Sequence, residues 1–122
     1  MIWLLLLLFQ IKHFLCDYPL QTPQMLAKGA VAPQVWIPAL IAHSAVHAAG
    51  TLLIALSVAP QLAFALAVAD FALHFVVDRI KASPALGGRW APNVPQFWWA
   101  LGFDQLAHHA INIGFVYVLV NS

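Results

Sequence analysis

VWIPALIAHSAVHAAGTLLIALS, residues 35–57, runs for the width of a membrane without one acidic or basic side chain, yet it carries two histidines four residues apart. A helix needs about 20 predominantly apolar residues to cross the hydrocarbon core, so this stretch reads as a span with a polar stripe on one face. Residues 1–18, 61–81 and 97–120 have the same character. Hydrophobic residues make up 63% of the chain and charged residues 7%, against roughly 25% charged in soluble domains. Five basic and four acidic side chains are too few to cover the surface of a soluble domain of this size. The expected fold is therefore all-α, a four-transmembrane-helix bundle forming a single integral membrane domain over residues 1–122.

Residues 1–18 are expected to stay as the first helix. The basic residue there, Lys12, comes late, and no small-x-small cleavage site follows it. With four spans, the Ala59-Pro60 turn and both termini share one face, and the 19–34 and 82–96 connections share the other. Lys12, Lys28, Arg79, Lys81 and Arg89 fall on or near that second face, which the positive-inside rule makes cytoplasmic, with both termini outside. Trp36, Trp90, Trp98 and Trp99 mark the cytoplasmic boundary, and Trp3 the outer one. A net charge of +1 gives no basic field for nucleic acid. The lone Cys16 reads as a small buried hydrophobe.

A repeat organises the polar residues. HFLCD at 13–17 returns as HFVVD at 74–78. The same shift carries His43 onto Asp104, His47 onto His108, Lys28 onto Arg89 and Pro23 onto Pro84. The chain thus reads as two tandem helix hairpins, 1–61 and 62–122. Each has an even number of spans, so the two are similarly oriented about an axis along the membrane normal. In His13/Asp17, His43/His47, His74/Asp78 and Asp104/His108 the members are four residues apart and share one helix face. Asp70 and Asn112 extend the third and fourth stripes one turn outward. All four pairs reach one depth in the cytoplasmic half. A charge near the bilayer centre costs about 2.5–3.5 kcal/mol even on translocon scales, so the four aspartates are expected to face inward.

Three chemistries compete for this constellation. Interhelical His–Asp hydrogen bonds could hold the bundle together, at about 0.6 kcal/mol each, or a relay could pass protons or ions along the Asp and His side chains. A metal site is the third. Imidazole and carboxylate suit zinc, iron or manganese, and bundle sites use such inward pairs. Five histidines and three aspartates exceed the four ligands of one structural zinc. They fit two divalent ions, or one ion with carboxylates orienting the imidazoles. The ligand pool is His13, Asp17, His43, His47, His74, Asp78, Asp104 and His108. Haem suits carboxylates less well. His43 and His47 have zincin spacing, but Ser44 stands where the glutamate base belongs. His108-His109 has the look of a desaturase histidine box, for which six histidines are too few. His109 is expected about 100° from His108, at a helix interface.

HFLCDYPLQ followed by a basic residue, the histidine pair of the second helix, HFVVDRIK and DQLAHH together resemble an uncharacterised family of small bacterial four-helix inner-membrane proteins. Its motifs are His-x3-Asp-x3-Gln, His-x3-Asp-x2-Lys and Asp-Gln-x2-His. They map onto His13, Asp17, Gln21, His47, His74, Asp78, Lys81, Asp104, Gln105 and His108, over nearly the whole chain. The resemblance implies a fold, a site and a bacterial inner membrane, with no assigned activity. A more distant likeness of pattern is to membrane-bound metal-dependent hydrolases.

The expectation is thus a multi-pass membrane protein holding one or two divalent ions near the cytoplasmic face, in the manner of a hydrolase acting on a lipid-like substrate. An unligated aspartate among Asp17, Asp78 and Asp104 would be the base. Asp70 is expected to orient ligands or carry protons, and Gln21, Lys81 and Gln105 to meet substrate at the mouth. Residues 84–99 form a Pro/Gly-rich loop that could cover the site. The alternative is a non-enzymatic accessory subunit with a structural or cofactor-binding core. The small residues Ala42, Ala45, Ala48, Ala49 and Gly50 would then serve close contact with other membrane proteins or a second copy.

Overall fold

Proline opens three of the four helices, where its fixed φ suits the first turn and its missing N–H costs nothing. The computed structural model, which describes all residues from Met1 to Ser122, has α1 over Ile2–Asp17, α2 over Pro33–Leu56, α3 over Pro60–Ala82 and α4 over Pro95–Val120. Short 3-10 turns over Met25–Gly29 and Gly87–Arg89 interrupt the two long connections, and there is no strand. By length and apolar composition, α2 and α3 are the two helices able to cross a membrane. α1 has 16 residues, and α4 is diluted by Asp104, Gln105, His108, His109 and Asn112.

The helices pack as a ring, α1 against α2 and α4, α3 against α2 and α4, with the broadest interface between α2 and α3. Each buries one stripe at i, i+3 and i+4 spacing, as an inward helix face requires. On α2 the stripe is Ala39, Leu40, His43, Ser44, His47, Thr51 and Ala55. On α4 it is Asp104, His108, Asn112, Phe115, Val116 and Leu119. The apolar and polar residues therefore share the same stripes, stacked along the bundle axis.

Three layers result. At the end holding the termini and the 57–59 turn, Leu5, Phe9, Ala55, Ala59, Ala63, Leu66, Phe115, Val116 and Leu119 form one buried apolar cluster. Next comes a thin polar layer of Lys12, Thr51, Asp70 and Asn112, all buried. The histidines and the remaining aspartates lie beyond it, toward the long connections. Outside, large apolar side chains such as Leu7, Ile41, Phe64, Val76 and Ile113 are exposed on all four helices.

Lys12 departs from the sequence reading. It does not face the basic boundary but lies buried, with Nζ donating to Asp70 Oδ2 at 2.7 Å and to Thr51 Oγ1 at 3.0 Å. Its stem passes over Gly50, where an added Cβ would sit 2.7 Å from Lys12 Cγ. The basic boundary therefore rests on the other four cations. Among them, Arg79 stacks 3.9 Å over Trp36 and donates to the carbonyls of Lys28 and Ala30, pinning the first long connection to α3.

Candidate metal centre

His13, Asp17, His43, His47, His74, Asp78, Asp104 and His108 converge from all four helices into one cluster. The rings of His47 and His74 stack at 3.8 Å between centroids, and those of His74 and His108 at 4.1 Å. His13 lies 5.4 Å from His108 and 5.5 Å from His47, and His43 lies 4.8 Å from His47. His109, half-buried, is not turned away; its ring is 5.5 Å from that of His13.

Corresponding positions of the two halves make corresponding bonds. His47 Nε2 lies 2.9 Å from Asp17 Oδ1, and His108 Nε2 lies 2.8 Å from Asp78 Oδ1. Outside that correspondence, Asp17 has His13 Nε2 at 3.0 Å and Asp104 has His108 Nε2 at 3.2 Å. His43 bridges the halves. Its Nε2 is 3.1 Å from Asp78 and 3.4 Å from Asp17, out of line for a hydrogen bond with either.

The deep layer has no such correspondence. Asp70 accepts from Lys12, from Thr51 Oγ1 at 2.6 Å and pairs with His74 Nδ1 at 2.8 Å. Position 9, its counterpart in the first half, is phenylalanine. Asp70 therefore orients His74, as a carboxylate behind an imidazole does. Asn112, at the level of Thr51, is fully buried with both side-chain polar atoms unpaired.

The imidazole nitrogens facing into the cluster have no partner: Nδ1 of His13, His47 and His108, Nε2 of His74 and both nitrogens of His43. Asp104 Oδ1 has no aligned hydrogen-bond donor, its nearest being His108 Nε2 at 3.2 Å. Buried polar atoms without partners are uncommon and costly. On His47, His74 and His108 the other ring nitrogen is held by a carboxylate, the arrangement of a histidine available as a ligand. Three overlapping sets bring one ligand atom per residue within 4.8 Å of one another: His13/His47/His74, Asp17/His43/His47 and Asp78/Asp104/His108. Four aspartates against the two lysines that reach them, Lys12 and Lys28, leave two negative charges when the imidazoles are neutral. One divalent cation balances them. The residues fit a divalent metal.

The mouth lies at the end of the long connections, in a cavity of about 200 Å³ lined by Asp17, Gln21, Lys28, Asp78, Lys81, Asp104 and Gln105, among others. Gln105 reaches His13 Nε2 with Oε1 at 3.2 Å and donates to Asp104 Oδ2 at 3.1 Å. Gln21 donates to the carbonyl of Asp17. The sequence reading overlooked the role of Lys28, whose Nζ comes down from the 3-10 turn to within 2.9 Å of Asp78 Oδ2. Loop position hides it, since periodicity says nothing of a side chain outside a helix.

The chain belongs to the family described as "protein of unknown function (DUF3307)", which matches residues 4–122. No curated protein and no solved structure matches it.

Proposed function

We propose that this member of the family is a four-span membrane protein whose buried His/Asp cluster holds one or two divalent ions, zinc, iron or manganese, and hydrolyses a lipid-like substrate at the cytoplasmic face. The observation that carries the reading is the set of unpaired imidazole nitrogens, each on a ring whose other face is turned to a carboxylate, inside a cage with two uncompensated negative charges. A four-span arrangement is supported by the apolar side chains that surround every helix, α1 and α4 included. Multi-pass placement in a bacterial inner membrane, with termini outside, follows from the basic residues of the long connections and the resemblance of the motifs.

Such an ion, when bound, lowers the pKa of a water toward about 7 and polarises a phosphoryl or acyl oxygen. The chain's own residues supply the rest. Asp17 and Asp78 fix the rings of His47 and His108, and Asp70 fixes that of His74. Asp104, which lines the mouth with Oδ1 3.2 Å from His108 Nε2, is the carboxylate disposed to take a proton. Gln105 steadies both Asp104 and His13. Lys28 draws Asp78 toward the mouth.

The apolar cluster beneath the polar layer argues against a relay across the bilayer, because no buried titratable side chain continues beyond Asp70 toward the termini. A role in assembly has one observation in its favour, a wholly hydrophobic depression on the α2–α3 exterior lined by Ala45, Ala48, Ala49, Phe64, Ala67 and Phe71 among others, shaped for a neighbouring helix. Metal analysis of detergent-purified protein decides between them. Stoichiometric zinc, iron or manganese is expected in the native chain and not in His47→Ala/His108→Ala. A chain that purifies only with a partner, and takes up no metal on add-back, would overturn the hydrolase reading.

A further inference from the structure

The mouth does not end at the polar cavity. A second cavity of about 490 Å³ opens between α3, α4 and the 84–90 segment, and Lys81 and Asp104 line both. Its volume falls within the roughly 300–1,000 Å³ of ligand pockets. Eight of its thirteen lining residues are hydrophobic; Val77, Ile80, Leu86, Trp99 and Phe103 form the greasy wall. The polar side chains of the lining are Lys81, Arg89, Gln96 and Asp104, two cations against one carboxylate.

These two cations are the unengaged ones. Lys12 and Lys28 are bound to aspartates and Arg79 to loop carbonyls. Lys81 makes no ion pair or side-chain hydrogen bond, and Arg89 only stacks 4.9 Å over Trp90. The mouth carboxylates, by contrast, are partnered: Asp17 by His47, Asp78 by His108 and Lys28, Asp104 by Gln105. Within this cavity two unpaired cations, Lys81 and Arg89, therefore stand against one carboxylate, Asp104. Their position is built in, because Gly87 and Gly88 let the loop lie directly on the end of α3. A Cβ at Gly87 would meet Lys81 O at 2.6 Å, and one at Gly88 would collide with Ala82 O.

We propose that this cavity takes a phospholipid with a net anionic head, its acyl chain lying against the α3–α4 wall and its phosphate held by Lys81 and Arg89. As a substrate assignment this rests on the hydrolase reading; as a binding site it stands on the cavity and its charges. The lipid enters sideways from the bilayer and brings its ester linkages to the junction where Asp104 lies.

Native mass spectrometry of the full chain in non-ionic detergent tests it, with dioleoyl phosphatidic acid, dioleoyl phosphatidylcholine, dihexanoyl phosphatidic acid and inorganic phosphate as probes. Dioleoyl phosphatidic acid should bind about tenfold or more tighter than the choline lipid, as loss of charge-assisted hydrogen bonds implies. Lys81→Gln/Arg89→Gln should remove that preference, and Ala100→Trp, which fills the cavity, should weaken both dioleoyl lipids. Both variants should stay monodisperse with circular dichroism unchanged, which separates lost binding from lost folding. Equal binding of the two dioleoyl lipids, a preference that survives the double variant, equal binding of the six-carbon lipid, or displacement by equimolar phosphate would each overturn the proposal. Metal content is read on the same samples. Lipid preference without metal would sink the hydrolase reading and leave the lipid site; metal without preference would do the reverse.

Discussion

At the scale of single residues, the buried pair Lys12–Asp70 differs in kind from the cluster above it. Its ammonium and carboxylate are satisfied by each other, by Thr51 and by His74, so it completes itself without a ligand. Removing one partner of such a pair leaves a bare charge, at about 3–5 kcal/mol. Lys12→Met should accordingly lower stability to SDS-induced unfolding by that order, and Lys12→Met/Asp70→Asn should recover most of the loss. A double variant as unstable as the single would mean that Lys12 contributes through packing rather than charge. The inward face of Lys12 is legible in the sequence. Residues 5, 9, 12 and 16 are one helical stripe, and three of them are apolar or nearly so. What periodicity cannot give is the partner, because Asp70 lies on the diagonally opposite helix and only the ring order of the bundle brings it within reach.

At the scale of elements, helix extents followed from the apolar runs to within a few residues, while the starts at Pro33, Pro60 and Pro95 came from the structure. The i, i+4 spacing put each His/Asp pair on one helix face, and the cost of a charge facing lipid turned the aspartates inward. The two 3-10 turns followed from neither, since they are fixed by contacts such as Arg79 with the carbonyls of the first connection, which no local pattern encodes. The α1–α2 contact turns on Gly50, the only residue type that leaves room for the stem of Lys12. Glycine is ordinarily worth about 1 kcal/mol less than alanine inside a helix, so a larger side chain here would raise helix propensity. Gly50→Val should nevertheless destabilise the bundle by about 1–3 kcal/mol through overpacking. An unfolding midpoint that rises instead would show that α1 can shift away from α2 without loss.

At the scale of the molecule, the stacking of layers gives the site a floor and a single opening. The apolar cluster closes the end bearing the termini, and the cavities open beside the long connections. The polar deep layer also distinguishes the two halves. The first contributes Lys12 and Thr51, the second Asp70 and Asn112, whereas one layer up their His–Asp bonds correspond. Chains cut within the 57–59 turn and co-expressed should therefore reassemble, detectable as a 1:1 complex on size-exclusion chromatography. Either fragment alone should not form a stable counterpart, and a well-behaved homodimer of 1–58 would contradict this. Two copies of the first half would set one ammonium against another, and two of the second would oppose carboxylates, both in a buried layer. The deep layer thus works as a lock and key between like-shaped halves: it excludes self-pairing and admits only the complementary partner.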